Sequence, residues 1–206
     1  MLPETLLGIF VGIGLSAACG FRVFVPLLVM SIASLSGYLT LAPGFEWMAS
    51  VPALVAFAIA TALEIAGYYI PWLDHFLDIV ATPAAVIAGI LVTASAVTGM
   101  NPFLRWAFAI IAGGGVAGTI QVFTTVTRLT SGATTGGAAN PLVSTAEGGS
   151  SIILSILAVL VPMATIVLVA AILLLALGPG RRVLRRWPPW KRKTSQDTAE
   201  HGRTRI

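Results

Sequence analysis

Residues 151–178 contain no charged side chain. A run this long exceeds the roughly 20 apolar residues that cross a bilayer, and no soluble fold buries it comfortably. Segments 50–70, 79–99 and 103–127 read the same way, as spanning helices. Composition agrees: 57% of the 206 residues are apolar and 10% are charged, where a soluble domain carries about a quarter charged residues. A soluble enzyme, a nucleic-acid-binding module and a disordered regulator are therefore disfavoured. The expected fold class is all-α, a polytopic transmembrane helical bundle in the cell membrane.

The region 5–36 is longer than one span needs and carries Arg22 near its middle. Gly20-Phe21-Arg22, with Pro26 close behind, divides it into 5–19 and 23–36. It reads as one tilted helix broken at Gly20 or as two half-helices in a hairpin. With one crossing here the bundle has about five spans; six hydrophobic helices is the alternative. Met1-Leu2-Pro3-Glu4 lacks the positive start of a secretory signal, so the first segment is expected to stay in the mature protein.

Charge is distributed unevenly. Nine basic residues lie in 181–206 against Asp197 and Glu200, so the tail is +7 while residues 1–180 are −3. A basic cluster after the last hydrophobic segment places the C-terminus in the cytoplasm. The chain accordingly divides into a transmembrane domain, 1–180, and a basic cytoplasmic tail, 181–206, expected to be disordered. An anionic lipid at this tail is the sharper reading; a topology anchor is the plainer and preferred one. Counted back from that end, 151–178 starts outside, and Pro71–Asp78 and 128–150 lie on the outer side.

The stretch from Arg128 to Ser150 is rich in Gly, Ser and Thr and uncharged between Arg128 and Glu147. Small residues suit backbone packed closely between helices, and irregular backbone at membrane depth must be buried or line a cavity. A re-entrant loop is expected here. Gly8, Gly12, Ser16 and Gly20 form a small-residue stripe, with Gly114 and Gly118 as a second pair. Such stripes let helices approach closely, within one chain or in a homo-oligomer.

Charges inside the hydrophobic part are few, and each costs at least about 2.5–3.5 kcal/mol on insertion scales. Arg22 and Glu64 lie deepest and are expected to pair, as are Arg128 and Glu147. Glu64 shares a helix face with Thr61 and Tyr68. Asp74 and Asp78 are also four apart, an arrangement that calls for a cation, a basic partner or a shared proton; with Glu64 and His75 they form a candidate ion or proton site. Capping of the following helix by Asp78 is the simpler account of that residue.

Several chemistries find no support. Gly113-Gly114-Gly115-Val116-Ala117-Gly118-Thr119 lacks the lysine of a phosphate-binding loop, and neither HExxH nor GxSxG occurs. Cys19 is the only cysteine, and His75 and His201 the only histidines, too few for a zinc-type cluster. No cofactor is expected, and an enzyme is the weakest class.

Three groups of residues carry a resemblance. Gly20-Phe21-Arg22 with Phe24 and Pro26-Leu27-Leu28 is the first. Glu64 with Ile70-Pro71, Asp74, Asp78 and Pro83 is the second, and Asn140-Pro141 with Ser144 and Glu147 the third. Together they resemble an uncharacterised bacterial family of small multi-pass membrane proteins, catalogued only as a domain of unknown function. Two departures stand out: Tyr68-Tyr69 replaces an acidic-basic pair of the family, and less charge surrounds Arg128. The resemblance implies that Arg22, Glu64, Asp74, Asp78, Asn140 and Glu147 belong to one recurring arrangement, and it supplies no activity.

A broken helix near a buried carboxylate is how many secondary transporters build their site. The leading expectation is thus a small transporter or permease-like protein, proton- or cation-coupled, with those six residues forming the substrate or ion site. The alternative is a structural or assembly protein acting through helix packing and its basic tail.

Overall fold

The computed structural model describes the backbone of residues 2–186, and side chains in that range except at 2–3, 71–76, 78 and 177–186. Among the described residues every regular element is helical. In chain order these are α1 (Leu2–Cys19), α2 (Phe24–Leu35), a 3-10 turn (Glu46–Ala49), α3 (Val51–Gly67), α4 (Pro71–Ala96) and α5 (Pro102–Phe108). A π-helical turn (Ala109–Gly114) carries α5 into α6 (Gly115–Thr135), followed by α7 (Asn140–Leu160) and α8 (Pro162–Arg186).

Prolines mark the starts. Pro52, Pro71, Pro102, Pro141 and Pro162 each sit in the first two positions of a helix, where the missing N–H costs nothing. Side-chain caps reinforce two of them. Ser50 Oγ accepts from the Ala53 N–H at 3.3 Å, and Asn101 Oδ1 from the Phe103 N–H at 2.9 Å.

The legs run back and forth between two ends. α1 lies antiparallel to α4: a Cβ added at Gly8 would strike the Ala96 carbonyl, and one at Gly12 would come within 3.1 Å of the Thr93 backbone. A Cβ at Gly20 would lie 2.7 Å from the Ala117 carbonyl oxygen of α6. The glycine stripe is therefore used inside the chain. Gly114 and Gly118 likewise face Ile90 and Val86 of α4. Hydroxyls close the seams: Thr93 Oγ1 donates to the Gly12 carbonyl at 3.1 Å, Ser151 Oγ to that of Ala18 at 3.0 Å, and Ser16 Oγ to that of Gly113 in the π turn.

The 5–36 region takes its hairpin alternative, and one expected single leg, 151–178, is a hairpin too. α1 ends at Cys19 and α2 turns back, so that Met30 meets Ser95 near the far end of α4. The 151–178 run is also divided, at Val161–Pro162. A Cβ on Gly14 would lie 2.7 Å from both Ala158 and Thr165, and Leu154 and Val169 share one apolar cluster with Ala17 and Ala18. Residues on either side of residue 161 thus meet the same stretch of α1, although a continuous helix would hold Ala158 and Thr165 about two turns apart and Leu154 and Val169 about four. Pro162 has no N–H to continue the ladder, and Val161 leaves helical geometry at φ −138°, ψ 66°. Hydropathy registers composition and not direction, so this turn is silent in it.

Seven legs result among the described residues, where about five spans, or six hydrophobic helices, were expected. Three helices are long and apolar enough to cross a membrane: Ile79–Ala96, Pro102–Thr135 and Asn140–Leu160. Glu4–Cys19, Phe24–Leu35, Val51–Gly67 and Pro162–Ala176 are shorter apolar helices. The order of ends also changes. The α3–α4 turn, the α6–α7 turn and the end of α8 all lie at one end of the bundle, not on opposite sides.

The 128–150 segment is not a loop. α6 runs on to Thr135 and α7 begins at Asn140, leaving a turn at 136–139 with Gly136 and Gly137 at φ 61° and 89°. The hydroxyls of Thr127, Thr130, Thr134 and Thr135 each donate to the carbonyl four residues back. Satisfied within their own helix, these polar residues do not force an irregular backbone. α8 extends to Arg186, into the segment expected to be tail; residues 187–206, with the rest of the basic cluster, lie outside the described residues.

Candidate functional site

The α1–α2 break, the end of α3, the end of α6 and the start of α7 converge at one end of the bundle. Arg22 stands in the break and is 2% exposed. Its Nη2 donates to the Ser144 carbonyl at 2.8 Å and to Ser144 Oγ. The same nitrogen is 3.9 Å from Glu147 Oε2. Glu147 is engaged chiefly by Arg128, whose Nε lies 3.0 Å from both carboxylate oxygens and whose Nη2 also bonds Oε2. The Arg128–Glu147 pair is present as the sequence suggested.

The Arg22–Glu64 pair is not formed. Glu64, 7% exposed, accepts instead from the Val23 N–H at 2.7 Å and the Phe24 N–H at 3.0 Å. These are free N–H groups of the first turn of α2, whose own cap residue, Val23, supplies no side-chain bond. A carboxylate at the positive end of a helix is favourable, so Glu64 acts as an N-cap delivered from another helix. Sequence spacing cannot show this, because the partners are backbone groups.

Tyr68 was missed as a site residue, although its i+4 relation to Glu64 was visible. Arg22 Cζ stacks 3.8 Å from the Tyr68 ring centroid and Arg128 Cζ 4.1 Å from it. The ring is contacted by two guanidinium groups, and cation–π attraction strengthens where water is excluded. Above the cluster, Tyr69 Oη and Thr145 Oγ1 meet at 3.0 Å on the surface. Asn140 begins α7 one helical turn before Ser144, its Oδ1 buried with no hydrogen-bond partner. Asp74, His75 and Asp78 lie at the start of α4, and their side chains are outside the described residues. Among the described residues no three His, Cys, Asp or Glu side chains converge.

A cleft of about 390 Å³ lies beside the cluster, between α3 and α4. Val23, Phe24, Leu63, Leu77, Val80 and Ala84 are among its apolar walls, and Glu64 and Tyr68 its polar ones. At the opposite end a second cavity of about 550 Å³ is lined by Glu4, Tyr38, Thr98 and Pro162, among others. α8 fixes the depth of the cluster. Gly14 sits beside Thr165, so Arg22, about 12 Å further along at roughly 1.5 Å per residue, is level with about residue 173. Arg181 lies about 12 Å beyond that, and the tip of the α6–α7 hairpin about 10 Å beyond Arg128. The uncharged hairpin thus reaches the level at which the basic residues begin.

These charges stand in the region covered by a known family. A family model, the domain of unknown function DUF4126, matches residues 9–181. The chain belongs to this family. No curated protein and no solved structure matches it. The matched span takes in every residue of the cluster, and the apolar helices mark this DUF4126 protein as a membrane-type helical bundle.

Proposed function

We propose that this protein is a small transporter or permease-like membrane protein, non-enzymatic, in which Glu64 is the protonatable or cation-binding group. One observation carries the reading. Glu64 is buried at the wall of a mostly apolar cleft, and among the described residues its hydrogen bonds come from backbone N–H groups. A carboxylate has about four acceptor positions, of which these bonds use two. The rest remain for a proton or a cation, and an intramembrane carboxylate that is not locked to a basic side chain is suited to changing its charge.

Proteoliposomes with a trapped pH-sensitive dye test this. The wild type dissipates an imposed pH gradient about tenfold faster than Glu64→Gln, and a Gln variant with unchanged proton flux sinks the assignment. A structural reading has its own support, since Glu64 caps α2. It predicts that Glu64→Gln lowers the unfolding temperature and leaves flux untouched.

The basic tail supports a cytoplasmic C-terminus in the cell membrane. α8 ends at the cluster end of the bundle, so the Arg22 site then opens toward the cytoplasm. Leu142 and Leu104 are 74% and 56% exposed at opposite ends, and Cys19 is buried. Leu142→Cys is expected to react with an impermeant maleimide from the cytoplasmic side only, and Leu104→Cys from the other; the reverse pattern inverts the topology. The tail is also the place for an anionic lipid, and a homo-oligomer is compatible with the apolar outer faces.

A further inference from the structure

The walls of the cleft beside Glu64 limit which positive charge that carboxylate can meet. Its volume, about 390 Å³, falls in the range of small-molecule sites. Apart from Glu64 and Tyr68, the described side chains on its wall are apolar. A calcium or magnesium ion takes about six or more oxygen ligands, so an inorganic ion stripped of its water finds one carboxylate here and little else. The Tyr68 ring is already occupied by two guanidinium groups, Arg22 Cζ at 3.8 Å and Arg128 Cζ at 4.1 Å. Neither arginine lines the cleft. Around Tyr68 these two cations stand against Glu64 and Glu147, so an ionised Glu64 leaves the described cluster in balance. Asp74, His75 and Asp78 begin α4, and their side chains lie outside the described residues. A proton on Glu64 and a monovalent cation beside it change the total by the same single charge, which makes them alternative occupants of one carboxylate. Access is lateral. Leu63 of α3 and Val80 of α4 line the cleft and are 68% and 43% exposed, so its rim lies on the apolar outer face of the bundle.

We propose that the cleft between α3 and α4 binds a lipophilic organic monocation, an ammonium with an apolar body, whose charge meets Glu64 and whose body lies on the apolar walls. Burying a charge is costly unless it is paired, and the carboxylate supplies the pair where water is excluded and attraction is strong. The carboxylate on the wall is what favours a cation over a neutral lipid tail. This deepens the transporter reading, on which it rests for its role, by naming the class of molecule that shares Glu64 with the proton.

The test uses the full-length protein in phosphatidylcholine nanodiscs, with benzyltrimethylammonium as the probe because its charge is the same at every pH. Binding is measured at equilibrium, and uptake by empty nanodiscs is subtracted. The wild type binds the probe saturably, and affinity falls between about pH 8 and about pH 5, by up to about tenfold per unit where one proton competes. Tetramethylammonium, which has the charge without the apolar body, binds about tenfold more weakly or worse. Glu64→Gln weakens probe binding by about tenfold or more and flattens its pH profile. Ala84→Phe fills the cleft from α4 with Glu64 in place, and it loses the binding while folding as the wild type does. No saturable binding by the wild type overturns the proposal, as does equal affinity for the two ammonium ions. So does binding that Glu64→Gln leaves unchanged and Ala84→Phe abolishes, which assigns the cleft to neutral lipid tails. The two claims fail differently. Unchanged proton flux in Glu64→Gln beside intact probe binding by the wild type removes the transporter reading and leaves the cation site. Glu64-dependent proton flux without probe binding removes the cation site and leaves the proton path.

Discussion

The α1–α4 seam and the Arg22 cluster both bury polar groups, and they treat them differently. In the seam each hydroxyl has a carbonyl: Ser16 with Gly113, Thr93 with Gly12, Ser95 with Val92. At the cluster end Arg22 Nε and Nη1, Thr61 Oγ1, Ser131 Oγ and Asn140 Oδ1 have no hydrogen-bond partner among the described residues. Native interiors rarely leave such groups unpaired. The seam is polar for the sake of close packing, whereas the cluster holds donors and acceptors in excess of what packing uses.

Six substitutions test that contrast, read by unfolding of the purified protein in detergent. The largest effect is expected from Glu147→Leu, which strips Arg128 of its bidentate partner and Arg22 of the one carboxylate within 4 Å of it among the described residues. A cost of about 3–5 kcal/mol is expected for breaking a buried pair in this way; a cost below about 1 kcal/mol would mean the arginines are held by something else. Next comes Gly8→Ala, whose methyl is driven into the Ala96 carbonyl, at about 1–3 kcal/mol. Gly115→Ala, with nothing within 4 Å, is its control and should be neutral or stabilising. If both behave alike, the seam is looser than described. Glu64→Ala removes the cap of α2 and should cost about 0.5–2 kcal/mol. The smallest difference is also the most direct. Thr93→Val loses a bonded hydroxyl, at about 1 kcal/mol, while Thr61→Val loses one that bonds nothing and should change stability by less than about 0.5 kcal/mol. Equal costs for the two would erase the distinction between seam and cluster.

The sequence shows why some of this was readable. Uninterrupted apolar runs require helices in a bilayer, and Gly20 beside a charged residue marks a break because only a glycine tolerates the approach of Ala117 and Ile120. Arg128 and Glu147 had few other partners available. Turning at Pro162 was hidden by the continuity of the apolar run around it. The helical state of 128–150 was hidden because small hydroxyl residues suggest loops unless their intrahelical bonds are seen. Glu64 drew attention correctly as a buried charge, but its partners are amides, which every residue has. The approach of Gly148 to the Arg22 guanidinium depends on where a side chain 126 positions earlier ends up, and no local pattern encodes that.

One leg is attached unlike the others. Of the 17 residues of α3 only Ala53, Thr61, Glu64 and Gly67 are buried, and Thr61 makes no hydrogen bond through its hydroxyl. At the cluster end it is tied by the clamp of Glu64 on two amides of α2 and by its C-cap residue Tyr68, whose ring stacks on Arg22 and Arg128. Segments with little buried contact are the first to open. α3 is therefore the most lightly buried leg, and under the proposed function the carboxylate that ties it to α2 is the one a proton or cation would neutralise. On that reading neutralising Glu64 loosens α3, and distance labels on α3 and α6 would follow the change.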